Sequence, residues 1–208
     1  MPHSSDSMEF VDFYADRKEF SALIYCEPLA LRSKLHDWTI QPHRHNNIDQ
    51  VFLLTSGTGK AYLDAKQVEL RAPCMLLVPG NLMHGFDWQQ GCEGYVVSVA
   101  SIMLKQISAV PTNWNSDETA ELYHLSESQS LEQLCHNLYV EQTQRPVLSD
   151  AMQKSLLEQL VISIVRLSPA LRGDNRAPSK PERKLLQFKK LIQSHATQQH
   201  QVEWYARK

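Results

Sequence analysis

Gln41-Pro42-His43-Arg44-His45-Asn46-Asn47-Ile48-Asp49-Gln50-Val51-Phe52-Leu53-Leu54-Thr55-Ser56-Gly57 decides how the chain is read. Two histidines stand one residue apart, and a polar Gln50 leads into an apolar run that stops at glycine. Side chains two apart on a β-strand share a face, so His43 and His45 point the same way. If Asp49 to Thr55 is the next strand, Gln50, Phe52 and Leu54 share a face too. Further on, Pro79-Gly80-Asn81-Leu82-Met83-His84 delivers a third histidine just after the apolar run Cys74 to Val78. Three histidines and a glutamine facing into one β-barrel make a candidate site.

Short β-rich runs surround this stretch at Ala22–Cys26, Asp37–Gln41, Gln50–Thr55, Lys60–Leu63, Gln67–Arg71, Cys74–Val78 and Tyr95–Ala100. Turn residues separate them, as in Ser56-Gly57-Thr58-Gly59, Asp64-Ala65-Lys66, Ala72-Pro73 and Gln90-Gly91. Many short strands with regular punctuation argue for a sandwich or barrel. Tight loops argue for antiparallel pairing.

The period changes after residue 110. Leu131, Leu134, Cys135 and Leu138 fall on one helical stripe. After Pro146, Ser149-Asp150 offers an N-cap to a second helix. Its Leu156, Leu157, Leu160, Val161, Ile164 and Val165 recur with helical spacing and stop before Pro169. That stripe can pack on the barrel, on the first helix, or on a second copy of the chain. Residues 169–181 read as a linker rich in proline and glycine. Leu185, Leu186, Phe188, Leu191 and Ile192 then open another helical pattern, and Val202, Tyr205 and Ala206 begin the next.

With 208 residues there is room for one domain and an appendage. A formal net charge of −2 is too balanced to argue for nucleic acid over the whole chain. Cys26, Cys74, Cys92 and Cys135 are scattered, without a Cys-x-x-Cys pair, and read as buried free thiols. No basic-then-apolar leader opens the chain, and no apolar run is long enough to span a bilayer. The expected location is the cytoplasm.

His43, His45, Gln50 and Gly57, then Pro79 and His84, resemble the two cupin motifs. The departures are Gln50 at the carboxylate position, Asn81 at the inner glycine and Trp88 at the closing asparagine. Joined to two helices, a polar linker and the sequence Val202-Glu203-Trp204-Tyr205-Ala206-Arg207, the pattern is similar to AraC-type transcription regulators. Parts of it, His36-Asp37-Trp38 through His45 and the Leu156–Leu167 helix, resemble regulators of aromatic-acid catabolism. The resemblance implies a mainly β fold with C-terminal α structure: a cupin-like double-stranded β-helix, or jelly-roll barrel, then two packing helices and the start of a helical DNA-binding domain. The expected boundaries are an N-terminal arm at 1–20, an effector-binding barrel at 21–110, a helical dimerisation region at 111–168, the linker at 169–181, and a truncated start of a helix-turn-helix domain at 182–208.

On this reading the chain is no enzyme and carries no cofactor. It senses a small aromatic carboxylate, forms a homodimer, and reaches DNA only through the helix-turn-helix domain. The expected effector residues are Arg32, Trp38, His43, His45, Gln50, Phe52, Tyr62, His84 and Trp88. The expected dimerisation residues are Leu156, Leu157, Leu160, Val161 and Ile164. Three readings of the histidines compete. They donate hydrogen bonds to an effector carboxylate or hydroxyl, they bond one another as inherited barrel residues, or with Gln50 they hold a divalent transition metal. The last reading makes a metal-dependent cupin enzyme. A pure interaction module, dimerising with a full-length relative, is a further alternative.

Overall fold

A computed structural model describes residues 23–64, 66–107 and 119–167, with Phe188 and Trp204 as single helical positions. The expected arm, the linker and all but those two positions of the expected helix-turn-helix start lie outside the described residues.

Nine strands form two antiparallel sheets among these residues. They are β1 (Ile24–Pro28), β2 (Thr39–His43), β3 (Ile48–Ser56), β4 (Thr58–Leu63), β5 (Lys66–Arg71), β6 (Cys74–Val78), β7 (His84–Trp88), β8 (Glu93–Ala100) and β9 (Glu121–His124). The first sheet runs β1-β8-β3-β6-β9 and the second β2-β7-β4-β5. This is the cupin-like jelly roll that the strand pattern and the resemblance imply. Helices α1 (Leu29–Leu35), α2 (Ser101–Leu104), α3 (Gln129–Gln144) and α4 (Ser149–Leu167) complete the described fold.

Alternation along the first sheet builds two cores from one set of strands. Phe52, Leu54, Leu76, Val78 and Val96 point into the barrel, against Ile40, Ala61, Leu63, Leu70 and Phe86 of the second sheet. Val51, Leu53, Met75, Leu77, Val97 and Val99 point the other way and meet α3 and α4. β3 is therefore buried on both faces, which explains its unbroken apolar run.

Four features depart from the expectations. His84–Trp88 forms a strand, β7, that is absent from the expected runs, and the third histidine is its first residue. α1 follows β1 directly, and its Leu29 plugs the barrel interior. The segment expected to be helical from 111 to 168 contributes a strand, because β9 pairs with the edge of β6. The fourth concerns the dimerisation stripe. Leu156, Leu157, Leu160, Val161 and Ile164 are all buried within the chain, packed with α3 and the outer face of the first sheet. A stripe already covered by its own sheet has no apolar area left for a second copy.

All four cysteines are free and buried, as the composition suggests. Among the described residues no helix is long and apolar enough to cross a membrane.

Candidate functional site

The histidines gather because of one irregularity. In the β2–β7 pair Ile40 faces Phe86 and His43 faces His84, so three steps on β2 match two on β7. The extra residue is a β-bulge, and it reverses the parity of the strand. Without it, Ile40 and His43 would lie on opposite faces. With it, both point into the barrel, and His45 follows two residues on.

On the other side of the pair a turn delivers His84. Asn81 adopts φ +71°, a left-handed conformation that asparagine tolerates better than most residues. It thus does the work of the glycine that it replaces. Its N–H donates to the carbonyl of His45 at 2.8 Å, tying the turn to the other histidine segment. Asp49 holds the same corner, accepting from Gly80 N at 3.3 Å and from Ser101 Oγ at 2.5 Å.

The three imidazoles meet with ring centroids 4.5 Å (His43–His84), 4.7 Å (His43–His45) and 5.5 Å (His45–His84) apart. All three are buried. Backbone carbonyls fix two tautomers. Nδ1–H of His43 donates to Gln41 O at 2.8 Å, and Nδ1–H of His84 donates to Leu82 O at 2.9 Å. A carbonyl can only accept, so in the neutral rings each Nε2 is left as a lone pair. His45 Nε2 lies 3.1 Å from His43 Nε2 and supplies the proton between them.

Burial is the main cause keeping the His43 and His84 rings neutral. Desolvation lowers the pKa of His43, and the charges of Arg32 and His36 lower it further against the opposing bond to Gln41. Desolvation, then the charge of His43, brings His84 down to about 4; Arg32 adds to the lowering, while the bond to Leu82 opposes it. Donation from the histidines to an effector carboxylate or hydroxyl does not fit the tautomers of His43 and His84. Both commit their Nδ1 protons to the backbone; His43 Nε2 then meets His45, and His84 Nε2 is left as an acceptor in the interior.

The first sheet faces this cluster with polar groups of its own. Tyr25, Ser98 and Gln50 stand in one register row across β1, β8 and β3. Gln50 Nε2 donates to Ser98 Oγ at 3.0 Å, while its Oε1 finds no hydrogen-bond partner. Tyr25 OH donates to Glu27 Oε2 at 3.3 Å, and Glu27 Oε1 accepts from Arg32 Nε at 2.5 Å. Tyr25, Glu27 and Ser98 were not legible as site residues. Tyr25 and Ser98 stand between apolar neighbours that turn to the helix side, Glu27 follows one such neighbour, and only the pairing of the strands shows that the three share a face.

The remaining expected residues separate. Arg32, half-buried on α1, is near enough for its charge to act on His43 and His84. Phe52 lies 6.3 Å from the His84 ring and 4.4 Å from Phe86. Trp88 stacks on Phe86 at 4.9 Å, and Trp38 packs on the same core near it. Both tryptophans sit at the far end of β7, four residues or about 13 Å from His84. They close the other end of the barrel rather than line the histidine end. Tyr62 is corrected outright. Its neighbours Ala61 and Leu63 point inward, so Tyr62 projects from the outer face and donates to Asp87 Oδ2 at 2.6 Å.

The donor set suits a transition metal in part. The candidate ligand atoms of His43, His45 and His84 all lie within 4.8 Å of one another. Two nitrogens on a tetrahedral zinc ion stand about 3.4 Å apart, so the rings fit once they close inward. Gln50 brings no charge as a fourth ligand.

An AraC-like ligand binding domain model matches residues 27–161. The chain belongs to this family. The match runs from β1 into α4, so the barrel and its helical layer form the ligand-binding domain together. No curated protein matches the sequence. Solved structures of similar fold include KdgF from Halomonas sp. (19% identity, TM-score 0.29, covering 30% of this chain and 58% of that one). Another is a cupin-2 domain protein from Shewanella frigidimarina (17% identity, TM-score 0.30, covering 36% and 68%). A ToxT variant from Vibrio cholerae aligns at 9% identity and TM-score 0.48, covering 90% of this chain and 70% of that one. This chain thus spans little more than half of the length of KdgF.

Proposed function

We propose that this AraC-like domain is the ligand-sensing and dimerisation portion of a transcription regulator, and that its effector is a small aromatic carboxylate. One observation carries the reading. Buried polar side chains from both sheets, His43, His45 and His84 facing Tyr25, Glu27, Ser98 and Gln50, converge at one end of an otherwise apolar barrel. Pockets for small molecules have this composition, with an apolar body and few polar groups that fix orientation. Arg32, which already bridges Glu27, offers its remaining guanidinium face to the carboxylate. Phe52 and Phe86 supply an aromatic wall.

Binding changes the free energy of this end of the barrel, and the helices α3 and α4 on the outer face of the same sheet carry that change to a dimer. The dimer uses surfaces other than the five stripe residues that the chain buries itself. DNA is reached through a helix-turn-helix domain, to which the helical spacing from residue 182 onward points. Calorimetric titration of the protein with a panel of hydroxylated aromatic acids tests the ligand. Heat of binding from at least one is expected, and silence across the panel removes the assignment.

A metal-dependent enzyme is the second reading, favoured by the 3.1 Å between His43 Nε2 and His45 Nε2. Stoichiometric iron, manganese or zinc in purified protein, removed only by strong chelation, decides for it.

A further inference from the structure

We infer that His84 is the specificity residue of this site, and that its Nε2 accepts a hydrogen bond from a hydroxyl group of the effector. This rests on the effector reading above and adds to it a second chemical group and the atom that reads it.

The argument is one of hydrogen-bond accounting. His84 is 2% exposed, and its Nε2 finds no partner. Its Nδ1–H is committed to Leu82 O, so the inward nitrogen carries a lone pair. The corresponding lone pair of His43 is already met by His45. Gln50 Oε1, on the facing sheet, is a second buried acceptor without a donor. Buried polar atoms in folded proteins are nearly always satisfied, and each exception calls for an explanation. Two unmet acceptors at the polar end of an apolar barrel are explained by a guest that brings the donor.

Charge narrows the class of guest. A carboxylate at His84 would set lone pairs against a lone pair. An ammonium group would have to leave water beside a ring that burial already keeps neutral. A neutral hydroxyl suffers neither penalty. A phenol or alcohol therefore donates at His84, while the carboxylate of the same molecule is held by Arg32. Each part of the ligand meets the group of complementary character.

The test compares benzoate, the three hydroxybenzoate isomers and their methoxy counterparts by calorimetry on the full chain, after removal of metal with a strong chelator. One hydroxy isomer is expected to bind about tenfold or more tighter than both benzoate and its methoxy ether, the factor for one buried hydrogen bond. In His84→Phe the hydroxy isomer is expected to bind no tighter than benzoate does to the same variant. The wild-type comparison stands even if the variant fails to fold. Equal binding of benzoate and every hydroxy isomer overturns the inference and leaves the carboxylate reading intact. Binding by none of the compounds overturns the carboxylate reading itself and this inference with it. A hydroxyl preference that exists only with zinc restored also overturns it, since an ion and not a hydroxyl proton would then occupy Nε2.

Discussion

Gln142 of α3 completes the open edge of the first sheet at Cys26. Its Oε1 accepts from Cys26 N at 2.8 Å, and its Nε2 donates to Cys26 O at 3.3 Å. β1 is an edge strand, whose outward backbone groups would otherwise lack partners. One side-chain amide thus imitates a neighbouring strand. Cys26 adds a third tie, its thiol donating to Cys135 O at 3.2 Å. The strand so tethered carries Tyr25 and Glu27 on its other face, so the ligand end of the barrel and the helical layer share one element.

Substituting Gln142→Ala removes both bonds and leaves buried groups of Cys26 unmet. A loss of about 1–3 kcal/mol of stability is expected. Urea unfolding of the variant beside wild type measures it. An unchanged midpoint would mean that solvent satisfies this edge equally well.

Leu160→Ala tests the assignment of the stripe to the intrachain core. Leu160 is 1% exposed between α3 and the first sheet. Truncation in such a site costs about 2–5 kcal/mol. The expected signature is a lower unfolding midpoint at every protein concentration, with the association state unchanged in sedimentation. Dissociation of a dimer without loss of protomer stability would return this residue to an interface.

Acidification should destabilise the fold through His84. The unfolded ring takes up a proton near 6.5, whereas the folded ring resists until about 4. Between these values the unfolded chain binds more protons, so stability rises with pH. The contribution is complete above 6.5 and is lost as pH falls toward 4. It is on the order of 3 kcal/mol at most. Unfolding free energies between pH 7.5 and 4.5 should show the slope, and His84→Phe should flatten it.

Tyr62→Phe should leave effector binding unchanged, because the hydroxyl meets Asp87 on the outer face. Titration of the variant with whichever acid binds wild type checks this. A clear loss of affinity would place the ligand outside the barrel.

Much of the fold was legible because strand alternation is local. Gln50, Phe52 and Leu54 share the inward face as their spacing requires, and β6 spans Cys74–Val78 as the apolar run suggests. β7 was missed because His84-Gly85-Phe86-Asp87-Trp88 follows a turn signal without a pause and holds a glycine and an aspartate. Gly85 is required there: a Cβ would come within 2.9 Å of the carbonyl oxygen of Ile40. The helical stripe was read correctly as a stripe, but an apolar face does not name what covers it.

Sequence alone determined the antiparallel barrel, the pairing of His43 with His45, and the apolar stripe of α4. All three follow from residue type and spacing over a few positions. The tertiary structure decided the rest. It set the bulge that turns His43 to His84, the carbonyls that make both rings acceptors, and the sheet that covers the stripe. Those depend on register and on contacts between residues far apart in the chain, where the choice of partner is a matter of global packing.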